Sequence, residues 1–437
     1  MEWYWALILM LGMVVGLMAL GLHVAFAFFF ANIVGALIFL GGGAGLVAFV
    51  RGTISSLANF TLAPIPLFIL MGEILFHTGV AFAAVGAIER LIARVPGRLS
   101  VVSVASGTVF SALSGSTIAN TAMLGNVLLP DMLKRGYHPT MAMGPIMAVG
   151  GVAMLIPPSA LAVLLGSLAK IPIDKLLIGG IMPGLMMSAF FVGYIVVRCW
   201  LNPRLAPVEK AERLPAWERW RPFVVYVLPL FVIFAAVMGS IFAGIASPTD
   251  SAALGTVSAV LVALGYRKLT WRNLAKSLVE TAKVTTMIFF IIAASYTFSQ
   301  ILAFSGATNK ALDAILGFKL TPLEAVLIML GILLFLGCFM DQVSMLLLTL
   351  PFFEPLWKAL GIDPVWLGVL FLIAMELGLL TPPFGLLLFV MKGVAPKEIS
   401  MQMIYRAAFP FIGLEMAVLA ILIAFPGLAL YLPKLIN

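Results

Sequence analysis

The sequence predicts an all-α polytopic membrane protein, and three observations carry that reading. Of its 437 residues, 63% are hydrophobic and only 10% charged, whereas soluble domains carry about 25% charged residues. Residues 5–40 contain no Lys, Arg, Asp or Glu. Apolar stretches of this kind are long enough to cross a bilayer as helices. They also lack the alternation over about ten residues that marks a membrane β-barrel.

From the N-terminus, "MEWYWALILM" has no basic start and no small-residue cleavage site. The first apolar segment is therefore expected to stay as a span rather than leave as a signal peptide. "FLGGGAGLVAF" (39–49) has no following Lys-Ser. It reads as close helix packing, not a phosphate loop. The linker 198–222 holds six basic residues and four prolines and divides the chain nearly in half.

The halves resemble each other. "GEILFHTGV" (72–80) matches "SQILAFSGA" (299–307), and "LLPDMLKRGYHP" (128–139) matches "TLPFFEPLWKALGIDP" (349–364). "MLIPPSALAVLL" (154–165) matches "GLLTPPFGLLLF" (378–389), and "GGIMPG" (179–184) matches "AAFPFIG" (407–413). Aligning Pro130 with Pro351 sets Asn120 opposite Asp341. Nineteen of the 26 Lys and Arg fall in clusters at 90–98, 134–135, 198–221, 267–283 and 392–406. The positive-inside rule makes these cytoplasmic and both termini periplasmic. The first half then starts outside and the second inside, so the repeats are inverted, an arrangement typical of transporters.

Residues 1–200 are the first repeat, 201–222 a cytoplasmic linker and 223–437 the second repeat. In the first, "SALSGSTIANTAMLG" (111–125) concentrates small polar residues between the basic points Arg98 and Lys134. A re-entrant hairpin near 103–135 fits, turning at Gly115, with Ser114, Ser116, Thr117 and Asn120 as a site wall. Backbone turning at that depth survives only against protein or a watery cavity. A helix near 139–168 breaks at Pro157, Pro158 and Ser159, because prolines remove helical donors. The second repeat places a hairpin near 320–358, with Asp341, Gln342 and Ser344 at its turn. Its broken helix near 363–391 opens at Thr381, Pro382, Pro383 and Gly385. Freed carbonyls suit a hard cation such as Na⁺, and the following half-helix N-terminus suits an anion.

The chain resembles the large membrane subunit of the tripartite ATP-independent periplasmic (TRAP) transporters. The resemblance rests on "PLFILMGEIL" (66–75), "SGSTIAN" (114–120), "MLIPPS" (154–159), "GIASPTDSAA" (244–253) and "LLTPPFG" (379–385) in order. Ser247 and Asp250 replace the family's usual Thr and Glu. The resemblance implies an elevator-type transporter, with a transport domain moving against a scaffold. It implies a Na⁺ gradient as the driving force and an organic acid as the substrate. It also implies a periplasmic substrate-binding protein and a four-helix small membrane subunit, here expected as a separate polypeptide. The setting would be the bacterial inner membrane.

No cofactor beyond Na⁺ as coupling ion is expected, and the +8 charge reflects cytoplasmic loops rather than nucleic-acid binding. His23, His77 and His138 are not clustered as metal ligands. Cys199 and Cys338 read as buried small residues. Among acids in apolar surroundings, Asp341 is the first candidate for the site. Glu376 and Asp250 are either functional or caps and helix–helix ties, and Glu73 and Glu415 rank last. The competing class is an intramembrane serine protease built on Ser116, which would need a base at the same depth.

Overall fold

The computed structural model describes residues 3–92, 95–207 and 215–435, with the side chains of 112–114 also outside that description. Part of the linker, residues 208–214, therefore lies outside the described residues. These residues form helices and turns and contain no strand. Six helices are long and apolar enough to cross a membrane, and one further bent pair passes the same test together.

The first half opens with α1 (Trp3–Ala19), α2 (Val24–Phe39), α3 (Gly43–Leu57), α4 (Pro64–His77) and α5 (Val80–Leu91). Next come α6 (Arg98–Ser114) and α7 (Thr117–Lys134), which pack against each other around a turn at Gly115–Ser116. Then α8 (Pro139–Leu155) and α9 (Ala160–Ala169) meet at a 42° bend, followed by α10 (Ile173–Gly179) and α11 (Ile181–Leu201).

The second half begins with α12 (Ala216–Pro222), a π-helical turn (Phe223–Val227) and α13 (Leu228–Phe242). It continues with α14 (Pro248–Gly265), α15 (Trp271–Phe304) and α16 (Ala307–Gly317). The pair α17 (Pro322–Gly337) and α18 (Gln342–Ala359) precedes the pair α19 (Pro364–Leu380) and α20 (Leu386–Val394). The chain closes with α21 (Met401–Ala424) and α22 (Gly427–Leu430).

Helix starts are set by caps. Ser116 caps α7 and Ser159 caps α9, each accepting the N–H three residues on. Asp341 caps α18 and Asp363 caps α19. Ser247 with Asp250, and Thr321 with Glu324, form capping boxes. Each of these side chains takes up a backbone donor that the first helical turn would otherwise leave unpaired.

Several helix boundaries recur with the same spacing. Thr117 and Gln342 open corresponding helices, as do Pro139 and Pro364, and both pairs are 225 residues apart. This register corrects the sequence alignment. Pro130 belongs opposite Pro355, the second of the two prolines inside α18, and Asp341 stands opposite Ser116 rather than Asn120. The error came from anchoring on the first proline of "LPFFEP".

The core lies where α8 and α19, both buried along nearly their whole length, pack on each other and on α21. Among the described side chains, buried polar ones are few beside a large apolar core. The helices therefore fit by close packing. At one point α17 and α19 touch backbone to backbone: a Cβ on Gly378 would come 2.6 Å from the Gly337 Cα.

Gly378→Ala should therefore lower thermal stability, by about 1–3 kcal/mol for overpacking against backbone. Gly331→Ala, also in α17 but facing open space, should be neutral or slightly stabilising. Thermal unfolding of the purified variants in detergent measures both.

Candidate functional site

Four interruptions of helix come together. The first is the α6–α7 turn, where Gly115 adopts φ 56°, a conformation that disfavours side chains with a Cβ. A Cβ there would also be tight: it would sit 3.0 Å from the Pro158 carbonyl oxygen and 3.4 Å from the Ala160 nitrogen. The tip of the first pair thus rests on the break between α8 and α9. Ser114 is the last residue of α6, and its side chain lies outside the described residues.

The second interruption is that break itself. Pro157, Pro158 and Ser159 are all buried, and the Pro157–Pro158 bond is cis. The two prolines supply no N–H to the carbonyls of Ala153 and Met154. The third is the α17–α18 turn. Gln342 Nε2 lies 3.8 Å from Met154 Sδ, so this tip reaches the break in the first half. The fourth lies between α19 and α20, with a cis Pro382–Pro383 bond. The Tyr405 hydroxyl donates to the Pro383 carbonyl at 2.9 Å. Phe339 and Phe384, with ring centroids 5.8 Å apart, join the α17–α18 turn to this break. At Gly385 a Cβ would lie 2.5 Å from the Leu379 carbonyl oxygen and 2.8 Å from that of Thr381, so only glycine lets the chain fold back there.

The side chains at these points are mostly engaged locally. Asp341 Oδ1 accepts the N–H groups of Val343 and Ser344 at 3.0 and 3.1 Å, and the Ser344 hydroxyl donates to Oδ2. The Thr381 hydroxyl donates to the Leu377 carbonyl at 2.5 Å. What the breaks leave for a ligand is chiefly backbone carbonyl oxygen, the donor type that suits a hard cation, with the Asp341 carboxylate beside it.

Asn120 does a different job from that expected. It is fully buried one turn below the tip, and its amide donates to Ser111 Oγ at 2.8 Å and to the Gly107 carbonyl at 3.3 Å. It ties α7 to α6, while its Oδ1 has no hydrogen-bond partner among the described residues. Thr117 is buried on the same face, and α8 meets it with Gly150.

The acids divide cleanly. Asp250 is a helix cap, and Glu73 pairs with His77 at 3.1 Å. Glu376 and Glu415 are 1% and 0% exposed, and no oxygen of either accepts a hydrogen bond among the described residues. Glu376 lies directly on Gly151, where a Cβ would come 2.7 Å from its carboxyl carbon. The Thr117 hydroxyl is near it but outside hydrogen-bonding geometry. The ionisable neighbour of Glu415 is Glu376. Sequence reasoning ranked Glu415 last because no turn or proline break lies near it in the chain; only packing of α21 on α19 reveals its neighbour.

The protease reading finds no support. Ser116 Oγ accepts the Ala119 N–H as a cap. His23 and His138 cap helices and His77 pairs with Glu73.

Asn120→Ala should cost about 1–3 kcal/mol, since it removes the buried amide's hydrogen bonds to Ser111 Oγ and the Gly107 carbonyl. Glu415→Gln loses no hydrogen bond among the described residues and replaces a buried ionisable group beside Glu376 by a neutral one. It should leave stability unchanged or raise it. Thermal unfolding of the two variants side by side separates these outcomes.

A family profile described as "Tripartite ATP-independent periplasmic transporter, DctM component" matches residues 11–428. The chain is 31% identical over 406 residues to the C4-dicarboxylate TRAP transporter large permease protein DctM of Pseudomonas aeruginosa, covering 90% of this chain and 93% of that one. It is 29% identical over 433 residues to the 2,3-diketo-L-gulonate TRAP transporter large permease protein YiaN of Escherichia coli, covering 99% and 100%. It is 30% identical to the ectoine TRAP transporter large permease protein TeaC of Halomonas elongata, covering 98% and 99%. The fold resembles that of the Alcanivorax borkumensis YdaH transporter, with TM-score 0.63 at 12% identity over 88% of this chain and 89% of that one. It also resembles MtrF of Neisseria gonorrhoeae, with TM-score 0.60 at 13% identity over 88% and 85%. The chain belongs to the DctM family, the large permease subunits of TRAP transporters.

Proposed function

We propose that this permease takes up a small organic acid across the bacterial inner membrane, coupled to a Na⁺ gradient. The observation that carries the reading is the meeting of two helix-pair tips with two proline breaks in a chain of this family. Carbonyls released at the breaks, with Asp341 beside them, would hold Na⁺. The N-terminal ends of α7, α9, α18 and α20 would face a carboxylate. Two of the solutes named for the relatives, C4-dicarboxylates and 2,3-diketo-L-gulonate, are organic acids, which favours that substrate class.

On this reading residues 1–200 and 223–437 are inverted repeats joined by a cytoplasmic linker at 201–222, with both termini periplasmic. The pairs α6–α7 and α17–α18, with the two broken helices, form a transport domain that moves as an elevator against the remaining helices. A periplasmic binding protein would deliver the solute, and a separate four-helix membrane subunit would pack on the scaffold.

Uptake into proteoliposomes, with the small subunit and loaded binding protein present, should require Na⁺ and stop in choline buffer. Asp341→Asn should weaken Na⁺ dependence or abolish uptake while the protein still inserts. Loss of one charged ligand is worth roughly 1–3 kcal/mol, or about 5- to 150-fold in half-saturating Na⁺. Uptake by Asp341→Asn at wild-type Na⁺ dependence would place the ion elsewhere.

Topology has its own test. A cysteine introduced by Glu209→Cys should resist impermeant thiol reagents in intact cells and react only after permeabilisation. Labelling from outside would reverse the map.

A further inference from the structure

Two buried acids are not among the groups proposed to hold Na⁺ or solute. Glu376 on α19 and Glu415 on α21 are almost completely buried, and their four carboxyl oxygens accept no hydrogen bond among the described residues. Neither is in an ion pair among those residues.

The packing around Glu376 is close. A Cβ on Gly151 of α8 would come 2.3 Å from Glu376 Cγ and 2.8 Å from its Oε1. On the adjacent Gly150 a Cβ would come 2.5 Å from Thr121 Oγ1 of α7, and that hydroxyl too is buried without a partner among the described residues. Neighbouring glycines of one helix thus receive an unpartnered hydroxyl from one side and an unpartnered carboxyl from the other, with Thr117 beside both.

The surrounding elements supply no compensating charge. Helices α8, α9 and α22 contain no Asp, Glu, Lys, Arg or His. The next ionisable residues on α19 and α21 lie at or near the helix starts: Asp363, which caps α19, and Tyr405 and Arg406. From α11, Tyr194 meets α21 at Phe411, with ring centroids 5.4 Å apart, and Arg198 lies in the last turn. Lys392 of α20 donates to the carbonyls of Lys397 and Ile399. Asp131 of α7 pairs with Arg135, and Glu354 of α18 pairs with Lys358. Glu324 caps α17, and Asp174 and Lys175 sit in the first turn of α10.

A carboxylate can only accept hydrogen bonds, and here nothing donates to either one. An uncompensated charge is strongly unfavourable away from water, so such a group takes up a cation or a proton. A hard cation needs about six oxygen ligands around it, and the Gly151 backbone closes one side of the Glu376 carboxyl group. A proton needs no room. It also gives the carboxyl group a donor of its own, for which the Thr117 hydroxyl is an acceptor.

We propose that Glu376 and Glu415 form a proton-binding site, each carboxyl group taking a proton from water and holding it as the neutral acid while α8, α19 and α21 stay packed. Binding can be tested apart from transport and does not depend on the Na⁺ reading.

The test is infrared spectroscopy of purified protein in an ester-free detergent, at about pH 7 in choline chloride. Wild type minus Glu376→Gln/Glu415→Gln should show a carboxylic-acid C=O band that moves to lower frequency in D₂O. Each single variant should remove part of it, and Glu354→Gln, at an ion pair elsewhere, should remove none. Stability gives a second readout. Unfolding into water would release the protons, so rising pH should favour the unfolded wild type. Between about pH 5.5 and 7, the folded-to-unfolded ratio should fall relative to the double variant by about tenfold per carboxyl group per pH unit. Thermal unfolding across that range measures it, and Glu415→Gln alone, a neutral amide for a neutral acid, should show half the effect. No carboxylic-acid band in the wild type, or parallel pH curves for wild type and variants, would overturn the site. So would loss of the band when Na⁺ replaces choline at the same pH, which would make Na⁺ the ligand.

Discussion

Backbone polar groups cannot be left bare in hydrocarbon, and the rest of this structure follows from how four helix interruptions meet that constraint. Each interruption is placed against another part of the chain. Gly115 lies on the Pro158–Ala160 backbone, Gly337 on Gly378, Gln342 beside Met154 and Tyr405 on Pro383. The serine and aspartate caps then take up the helix N-termini that remain. Interrupted helices are thereby gathered in one region.

The two halves use the same device but finish differently. Pro157, Pro158 and Ser159 are sealed beneath neighbouring helices, whereas Pro383 is exposed and Phe384 is 56% exposed. Asp341 and Gln342 are half-buried, and Ser344 just behind them is buried. The second break is thus the more open of the two, while the tips Gly115–Ser116 and Asp341–Gln342 are alike half-buried. The first tip carries small hydroxyl residues, and the second carries the carboxylate, with Phe339 against Phe384 of its break.

Much of this was legible in the chain because the signals are local. Adjacent prolines inside apolar stretches, a glycine between polar residues and an aspartate after a long apolar run each dictate backbone behaviour within a few residues. Register was not legible to the same degree. Two prolines four apart in "LPFFEP" are equivalent helical positions, and the wrong one was aligned. Asn120 looked like a tip residue because it sits in a polar run, but one turn of helix carries it into the interior, where Ser111 meets it. Glu415 had only its apolar surroundings as a sequence signal. Its meaning comes from α21 packing on α19 and from a carboxyl group whose oxygens accept no hydrogen bond among the described residues.

The central claim is that the tip between α17 and α18 reaches across to the proline break of the first half. Disulfide trapping tests it most directly. In a background with Cys199→Ser and Cys338→Ser, Met154→Cys and Gln342→Cys should cross-link in native membranes under mild oxidation. The product should be an intramolecular species reversed by reductant. Failure of that pair to cross-link, while both cysteines remain reactive to small thiol reagents, would contradict the account.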